Sequence, residues 1–517
     1  LVLISISTSY KFLCYSPLFG SSHSNYLAKL SDSLIDAGHQ VVILTPVFDS
    51  TVKGAHSEGA RVIQVKYDRR DRAHEVSAVE MIDATWSSGE TWEALEVPYT
   101  LYTFLTKTLS ATIHHPGLLD QLREEKFDVG FGESMDWCMA GLFHLVGIKK
   151  FALAESISVK DGHFAVTQVP DAPSYVPSIM GGSFGDDMTF FQRAFNIFNR
   201  HMYQRFNFRA IPQYQQVFES NFPGFPNVVD LMASNSLVFL NSDPLVDFPR
   251  PSAARIIDIG GIVVSNGHHK LDEKWSAIFD LRPKTVLMSF GTFAKAVVMP
   301  EECKETIRET AKALPDVTFI WKYEEPAHNV TQGIPNLIET TWAPQHDMLR
   351  DPRLSAFVTH CGQGSMTEAN YAGVPLVAVP VIFDQVRNAF QAKRSGLGVN
   401  LDKTDLGRPK VFANAIREVL ENPKHKAQAA KTAAMLNDKP FTARQIFVRN
   451  MEFLAKHDPL RQLDHYGRHL NIVQYYLIDV VGAALLIVAL GIVFAVFAIV
   501  KIFRVIRKLV AAKTKNE

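Results

Sequence analysis

The residues best suited to chemistry in this chain lie in one run of its C-terminal half. A short apolar strand, Ala356 to Thr359, leads into His360 and then into a turn that contains Gly362, Gly364 and Ser365. A helix is expected to begin at this turn. Its free backbone N–H groups and its dipole would point in the same direction, which creates a binding site for an anion. The run therefore predicts a phosphate site at the end of a buried strand.

Polar and aromatic side chains flank this turn on both sides. Trp342 and Gln345 precede the strand, Glu368 lies in the expected helix, and Asp384 and Gln385 follow the next apolar strand. An aromatic ring, hydrogen-bonding groups and a phosphate site together indicate a pocket for a nucleotide sugar. The run closely resembles the signature of the UDP-glycosyltransferase family, the membrane-bound UDP-glucuronosyl and UDP-glucosyl transferases, and the chain looks like an invertebrate-type member.

The resemblance implies a role for the residues on either side of the turn. Trp342 would stack on the uracil ring, and Gln345 would form a hydrogen bond beside it; a core tryptophan is the simpler alternative for Trp342. Asp384 and Gln385 would contact the sugar hydroxyls and so influence the choice of donor.

Glu368, in the expected helix, has two interpretations. By the resemblance, Glu368 would hold the ribose hydroxyls. The spacing of Ser365 and Glu368 is also that of a capping box, in which both side chains serve the helix start.

A second group of phosphate contacts is expected after another buried strand. Ser289, Gly291 and Thr292 follow this strand, and their backbone and hydroxyl groups could donate hydrogen bonds to phosphate oxygens. The resemblance adds His360 as a phosphate contact. Preorganised donors of this kind matter most where charge develops in a reaction. The glycines of the first turn could equally be required by the turn itself.

His23 is the candidate catalytic base. It ends the small-residue loop Gly20-Ser21-Ser22-His23 after the first predicted strand, and ligand sites of doubly wound sheets lie at such strand ends. Histidine suits the removal of a proton because its pKa is close to neutral pH. In the resembling family the histidine at this place is the base. Without the resemblance, a surface histidine would be the simpler interpretation.

A base histidine is expected to have a carboxylate that orients it and stabilises its charged form. Vertebrate members of the resembling family carry Asp just after the strand that corresponds to Phe127 to Phe131. Here Glu133 occupies the aligned position, and Asp136 follows three residues later. We expect Glu133 to support His23, with Asp136 as the alternative. Either acid could instead be solvated at a helix start, where it would complement the helix dipole.

Apolar strands and helical patterns alternate along the chain, which predicts parallel sheets. Strands are expected at Phe12 to Tyr15 and Val41 to Leu44, with a helix between them, and a second α/β unit begins at Thr285. The Phe-rich stretch 160–230 is expected to form helices and loops that cover an apolar pocket. The predicted fold class is α/β with GT-B architecture, consisting of two Rossmann-like domains and a C-terminal transmembrane helix.

Six segments follow from this organisation. They are a signal-peptide remnant (1–9), an N-terminal acceptor-binding domain (10–255), a C-terminal UDP-sugar-binding domain (256–440), a closing helix with a juxtamembrane segment (441–474), a transmembrane helix (475–501) and a cytosolic basic tail (502–517).

The C-terminal segment indicates a membrane anchor. Val480 to Val500 carries no charge over 21 residues, and basic residues follow it, which favours the cytoplasmic side. The final residues, Lys513 to Glu517, match the dilysine pattern for retrieval to the endoplasmic reticulum. We therefore expect a single-pass type I protein of that membrane with lumenal catalytic domains. The sequon at Asn329 would be usable if its loop faces the lumen.

Composition excludes some partners. Lys and Arg together number 53, as do Asp and Glu, so no electrostatic argument supports a nucleic-acid partner. The chain has no Asp-x-Asp triplet, which favours an enzyme without metal or cofactor. The expected partners are a UDP-sugar, a small lipophilic acceptor and the membrane, and a homo-oligomer is compatible with the sequence.

The predicted function is that of an inverting UDP-glycosyltransferase, which moves glucuronic acid, or glucose, onto a hydroxyl of small lipophilic acceptors. Three alternatives stay open: a UDP-glucose-specific glucosyltransferase, a glycosyltransferase for membrane lipids, and a membrane-tethered protein that binds UDP-sugar or lipophilic compounds without turnover.

Overall fold

The computed structural model describes residues 9–18, 21–47, 57–66, 86, 97–161, 164–264, 267, 270–292 and 294–514. They form two compact units, one that ends at Leu463 and one that begins at Asp464. The expected signal-peptide remnant lies outside the described residues except for Ser9. The last three residues of the dilysine pattern also lie outside them.

A parallel sheet occupies the N-terminal half of the first unit. Within the described residues it has seven strands in the order β3-β2-β1-β4-β5-β6-β7. The strands are β1 Lys11–Tyr15, β2 Gln40–Val47, β3 Arg61–Lys66, β4 Val129–Gly132, β5 Phe151–Glu155, β6 Leu237–Leu240 and β7 Ile256–Asp258. The strand order reverses between β1 and β4. In doubly wound sheets ligands bind at this point, outside the carboxyl ends of the strands.

Helices cover both faces of this sheet. They are α1 Ser21–Ile35, α2 Val97–Ile113, α3 Leu118–Glu124, α4 Cys138–Val146, α5 Phe164–Thr167, α6 Phe190–Arg209, α7 Ile211–Asn221 and α8 Val228–Ala233. The side chains of β1 show why two layers are needed, since Leu13 and Tyr15 pack in one core and Phe12 and Cys14 in another. A strand buried on both faces is apolar throughout, as parallel strands typically are.

The second sheet has six parallel strands in the order β10-β9-β8-β11-β12-β13 within the described residues. The strands are β8 Lys284–Ser289, β9 Val317–Lys322, β10 Leu337–Thr340, β11 Leu354–Thr359, β12 Leu376–Ala378 and β13 Gly398–Asn400. The accompanying helices are α9 Glu273–Phe279, α10 Glu301–Ala313, α11 Gln345–Arg350, α12 Gln363–Ala372, α13 Asp384–Arg394, α14 Pro409–Glu421 and α15 Pro423–Asn437. The strand order reverses between β8 and β11, so the turns after these two strands meet.

The closing helix, α16 Ala443–Lys456, returns to the first sheet. The ring of Phe447 lies 6.2 Å from that of Phe131 and 4.9 Å from that of Phe239, between ring centroids. The predicted amphipathic helix at this place is therefore confirmed. The residues of β7 pair with β6 in the first sheet, although the sequence assigned them to the start of the second domain. Strand pairing, which one short apolar run cannot reveal, places β7 in the first sheet.

The second unit contains α17 Ile472–Tyr475 and α18 Ile478–Lys513. By its length and composition α18 fits a membrane span. The predicted span of 475–501 begins three residues before α18. The helix also continues into the segment predicted as a cytosolic tail and ends at Lys513, because the basic residues after position 500 do not interrupt its backbone hydrogen bonds.

Candidate active site

His23 lies in the first turn of α1, directly after the carboxyl end of β1. It is therefore not part of a loop, as the sequence suggested, because α1 already begins at Ser21. Its Nδ1 is 2.6 Å from Oε2 of Glu133, and its side chain is 22% exposed. The histidine is thus held on one side by a carboxylate and is accessible on another.

A serine fixes which nitrogen of His23 carries the proton. Ser156 Oγ is 2.9 Å from Nδ1 of His23 and donates its own proton to Oε1 of Glu133 at 2.7 Å. Both groups near Nδ1 are therefore acceptors, so Nδ1 is the protonated nitrogen. The neutral ring then carries its lone pair on Nε2, where a base would need it.

The carboxylate of Glu133 is stabilised in its charged form. The backbone N–H of Ser156 also donates to Oε1, at 3.1 Å. Burial by itself would raise the pKa of Glu133, but the charge and hydrogen bond of His23, and the hydrogen bond from the Ser156 hydroxyl, lower it to about 2. Burial would likewise lower the pKa of His23, yet the charge and hydrogen bond of Glu133 raise it overall. The pair therefore favours the imidazolium form once a proton arrives.

Asp136 has different partners. Tyr15 donates its hydroxyl proton to Oδ2 at 2.7 Å, and the backbone N–H of Cys138 donates to Oδ1 at 3.1 Å. Burial raises the pKa of this carboxyl group. Of the two candidate acids, the structure therefore places Glu133 against His23 and Asp136 within the protein core. Both acids are buried, so the interpretation as solvated helix-start residues is wrong.

A second buried ion pair lies beside Glu133. Nζ of Lys160 is 2.5 Å from Oε2 of Glu155, and each side chain is 2% exposed. The Lys160 ammonium also donates to Ser134 Oγ at 3.2 Å. Its positive charge further lowers the pKa of Glu133. Sequence reasoning missed this pair and Ser156, although Glu155 ends β5 and Ser156 and Lys160 follow it, at the sheet edge where β1 and β4 also end.

In the second half, His360 lies between two glycines. A Cβ atom at Gly291 would be 2.6 Å from His360 Nε2, and one at Gly362 would be 2.5 Å away. Any side chain at either position would displace the ring, so the glycines have a packing role besides their role in the turns. Gly291 also has a φ of +82°, which favours glycine.

The imidazole of His360 stays neutral near physiological pH. Burial and then the charge of Lys322 lower its pKa to about 4, although a hydrogen bond with the backbone of Ser289 opposes the shift. Nζ of Lys322 donates to the carbonyl of Gly291 at 2.5 Å and lies 3.6 Å from Glu324. This cation next to the Gly291–Thr292 turn was not predicted from the sequence.

The turn after β11 is open toward the outside of the sheet. The N-cap of α12 is Gly362, and no side chain caps this helix. A Cβ atom at Gly364 would meet nothing within 4 Å, so the backbone of the first turn has space beside it. The capping-box interpretation of Ser365 and Glu368 is therefore wrong. Both residues instead accept hydrogen bonds from Gln345 Nε2, at 3.2 Å and 2.7 Å respectively.

Trp342 is 66% exposed, so it is not the core tryptophan that was the alternative. Its ring is therefore available for stacking. Burial raises the pKa of Glu368, while the hydrogen bond from Gln345 opposes this effect.

Asp384 and Gln385 begin α13, and their side chains have different surroundings. Oε1 of Gln385 accepts the backbone N–H groups of Val381 and Ile382, both at 3.0 Å, so this oxygen serves the loop and only Nε2 could reach a sugar. Oδ2 of Asp384 accepts a hydrogen bond from Asn388 at 2.9 Å. Burial raises the pKa of Asp384 to about 6, and the charge of His23 partly counteracts it. The charges of Asp384 and His23 thus influence each other's pKa across the two halves of the chain.

Residues 16–516 match the family model described as UDP-glucoronosyl and UDP-glucosyl transferase. The chain belongs to this family. It is 29% identical to ugt-48 of Caenorhabditis elegans, whose name assigns it to the UDP-glucuronosyltransferases, over 100% of this chain and 98% of that protein. It is also 26% identical to mouse UDP-glucuronosyltransferase 1A7, over 93% of this chain and 89% of the relative.

Solved glycosyltransferases share the fold of this family member. The calicheamicin glycosyltransferase CalG4 superimposes with a TM-score of 0.59 at 15% identity, covering 87% of this chain and 99% of its own. UGT2 of Phytolacca americana, in complex with UDP-2-fluoro-glucose and pterostilbene, gives 0.56 at 14% identity, covering 87% and 100%. The predicted α/β fold with GT-B architecture is confirmed.

For this UDP-glycosyltransferase family member, the structure brings the predicted residues together in two groups. One lies at the carboxyl ends of β1, β4 and β5. The other lies at the turns after β8 and β11 and at the start of α13. Asp136 lies apart from His23, and Gln385 has its amide oxygen occupied.

Proposed function

We propose that this protein is an inverting transferase, which moves a sugar from UDP to a hydroxyl of a small lipophilic acceptor. The observation that carries the proposal is the geometry of His23, Glu133 and Ser156 at the point where the first sheet reverses its strand order. Asp384 from the other half lies close enough to influence the pKa of His23. An acceptor hydroxyl and a donor sugar would therefore meet next to a base.

In the proposed reaction, Nε2 of His23 takes the proton of the acceptor hydroxyl. The acceptor oxygen forms a bond to the anomeric carbon while the bond from that carbon to the phosphate oxygen breaks. The electron pair of the broken bond leaves with UDP, and attack from the opposite side inverts the configuration. Glu133 stabilises the imidazolium that results, as the carboxylate does in a hydrolase triad.

The leaving diphosphate would be stabilised by the second group of residues. The backbone at Gly291 and Thr292, the neutral imidazole of His360 and the first turn of α12 offer donors for phosphate oxygens. Lys322 adds a positive charge at the same turn. We propose that these groups act without a metal ion or cofactor.

Glucuronic acid is the proposed sugar, and glucose is the alternative. The names of the worm and mouse relatives support glucuronic acid, whereas the family description includes both activities. The donor would be held by Trp342 at the base, Glu368 at the ribose and Asp384 at the sugar hydroxyls. The acceptor would bind in the half that contains His23.

The proposed location is the membrane of the endoplasmic reticulum, as a single-pass type I protein with the catalytic domains in the lumen. The apolar helix α18 supports the anchor, and the basic residues Lys501, Arg504, Arg507 and Lys508 after the apolar run support a cytoplasmic tail.

The experiment uses membranes that contain the full chain, a simple phenol, EDTA, and either UDP-glucuronic acid or UDP-glucose. Mass spectrometry of the conjugate identifies the transferred sugar. We expect product with one donor in the presence of EDTA, and none with His23→Ala, while UDP binding by that variant persists. UDP binding without product from any phenol by the unmodified chain would instead support a tethered binding protein. Transfer to extracted lipids alone would support a lipid-modifying enzyme.

A further inference from the structure

The first part of helix α6, residues 190–200, buries two asparagines and an arginine and exposes its phenylalanines. Asn196, Asn199 and Arg200 are each at most 6% exposed. On the opposite side, Phe191 is 81% exposed and Phe190 is 68% exposed. This part of the helix is therefore inverted relative to an ordinary surface helix, in which the apolar stripe faces the core. The sequence predicted that this Phe-rich stretch covers an apolar pocket, and these exposed aromatic rings would not line it.

The buried polar face is tightly bound, which fixes the rotation of the helix. Asn196 donates to the carbonyls of Pro173 and Val176, at 2.8 Å and 2.9 Å, and accepts the N–H of Ser178 at 2.8 Å. Asn199 donates to the carbonyl of Gly181 at 2.8 Å. Rolling α6 to bury its phenylalanines would leave these polar groups of the 173–181 segment without partners, which is costly.

Arg200 holds the same face in place through charge. Its Nη1 lies 3.2 Å from Oδ1 of Asp161 and also pairs with Asp171, and its Nη2 donates to the carbonyl of Val176 at 2.8 Å. A buried arginine with two carboxylates is a strong determinant of helix orientation, because removing either side leaves a buried charge. The outward position of the aromatic face is thus built into the fold.

The outward face forms a continuous apolar surface. Phe195 and Phe198 are each 45% exposed and stack at 6.4 Å between ring centroids, and Ile197 is 55% exposed. Together with the two phenylalanines at the helix start they form what we call the α6 patch, residues Phe190, Phe191, Phe195, Ile197 and Phe198. Grouped exposed apolar side chains of this kind mark interaction sites, whereas isolated ones do not.

The charge of α6 indicates which partner the α6 patch suits. The helix contains four arginines and one histidine and no acidic residue. Arg205, Arg209 and His201 are exposed. Aromatic residues on one helix face with basic residues beside them are typical of helices that lie in the interface of a lipid bilayer, where the basic groups meet anionic headgroups.

The chain itself also indicates a bilayer. A candidate membrane span begins at Ile478, fifteen residues after the first unit ends at Leu463. A tether of this length keeps the first unit near any membrane that α18 crosses, so even weak lipid binding by the α6 patch would be effective.

We propose that the α6 patch docks on the surface of a lipid bilayer. The choice of this partner rests on the membrane anchor of the proposed function. The buried face of α6 holds the segment 173–181, and this segment packs on the start of α13. A Cβ atom at Gly181 would be 2.7 Å from Val386. Arg387 donates a hydrogen bond to the carbonyl of Pro177 at 3.3 Å. Two layers of contacts thus connect the docked helix to the donor residue Asp384. Docking would hold the acceptor-binding half where lipophilic acceptors concentrate.

A fluorescent label at position 191 tests the proposal in the full chain. The four native cysteines are all buried, so a Phe191→Cys variant can be labelled selectively with the environment-sensitive dye NBD. The matched control is Phe441→Cys, whose native side chain is 63% exposed outside the α6 patch. Both variants are reconstituted in vesicles of phosphatidylcholine and phosphatidylserine, with and without nitroxide-labelled lipid. Unchanged thermal unfolding shows that each variant is folded.

We expect the label at position 191, but not at 441, to shift its emission to shorter wavelength and to be quenched by the nitroxide lipid. Emission at 191 that matches the control and is not quenched would overturn the proposal. The emission at 191 could instead shift to shorter wavelength without being quenched by the nitroxide lipid, and the shift could disappear at a lower ratio of protein to lipid. This result would overturn the proposal in favour of contact between two copies of the chain. Flotation with the vesicles separates this result from the membrane anchor: a chain that does not float refutes the anchor, and one that floats without quenching refutes only the docking.

Discussion

The sharpest test of the donor site is the substitution Gly362→Ala. The backbone of Gly362, with φ −59° and ψ 142°, is accessible to alanine, so the change introduces no conformational strain. The added Cβ atom would, however, be 2.5 Å from His360 Nε2, whereas ordinary contact begins at 3.4 Å. The imidazole must therefore move by about 1 Å. Because the ring is the end of a side chain, it can move at little cost in folding free energy.

The expected loss is in catalysis and not in stability. A displacement of about 1 Å in a reacting geometry can cost about 10²-fold in rate, and loss of one preorganised donor costs about 10² to 10³-fold. We therefore expect kcat/KM for the UDP-sugar to fall by about 10²-fold, or about 2.7 kcal/mol of transition-state stabilisation. The matched control is Gly407→Ala, whose Cβ atom would meet its nearest neighbour, Glu302, at 3.8 Å. That variant should keep its activity and its unfolding temperature.

The assay is a double-mutant cycle in initial rates, with thermal unfolding measured for each variant. If Gly362→Ala acts by displacing His360, it should cost nothing further in a His360→Ala background. A further loss of about 10²-fold in that background would refute the reasoning, and so would equal activities for Gly362→Ala and the control at position 407.

Three further predictions concern charge and location. Glu133→Gln should lower the pKa of His23, because the carboxylate that raises this pKa is gone. The acid limb of the pH profile of kcat/KM should therefore move to lower pH, and the maximal kcat/KM should fall. The control Asp136→Asn should leave the acid limb in place. Burial raises the pKa of Asp384 to about 6, so the donor KM should change as pH falls through about 6, and Asp384→Asn should abolish that change. Asn329 is exposed, so it should be glycosylated when the chain is made with microsomes. Endoglycosidase should then change the gel mobility of the native chain but not that of Asn329→Gln. An unchanged mobility of the native chain would contradict a lumenal position for this loop.

Much of the site was predictable because its signals are local. The strand at Leu354–Thr359, His360 and the glycine turn follow one another within a dozen residues, and a helix must begin where a glycine-rich turn follows a buried strand. In both sheets the functional side chains come directly after strands, where parallel topology collects them at one edge. The sequence by itself therefore determined the α/β fold, the two groups of site residues and the apolar C-terminal helix.

Only the tertiary structure decided which of these residues touch. His23 and Glu133 are 110 residues apart in the chain, and His23 and Ser156 are 133 apart, so no local pattern distinguishes Glu133 from Asp136. Ser156, which follows the neighbouring strand β5, contacts both His23 and Glu133 and so favours Glu133 as the partner of His23.

The orientation of α6 was decided in the same way. Its composition of phenylalanines and asparagines allows either face to turn inward, and the buried carbonyls of the 173–181 segment select the polar face. Hydrogen bonds and charges that must be satisfied in the interior outweigh the exposure of a few aromatic rings, and they depend on contacts that form only when the chain has folded.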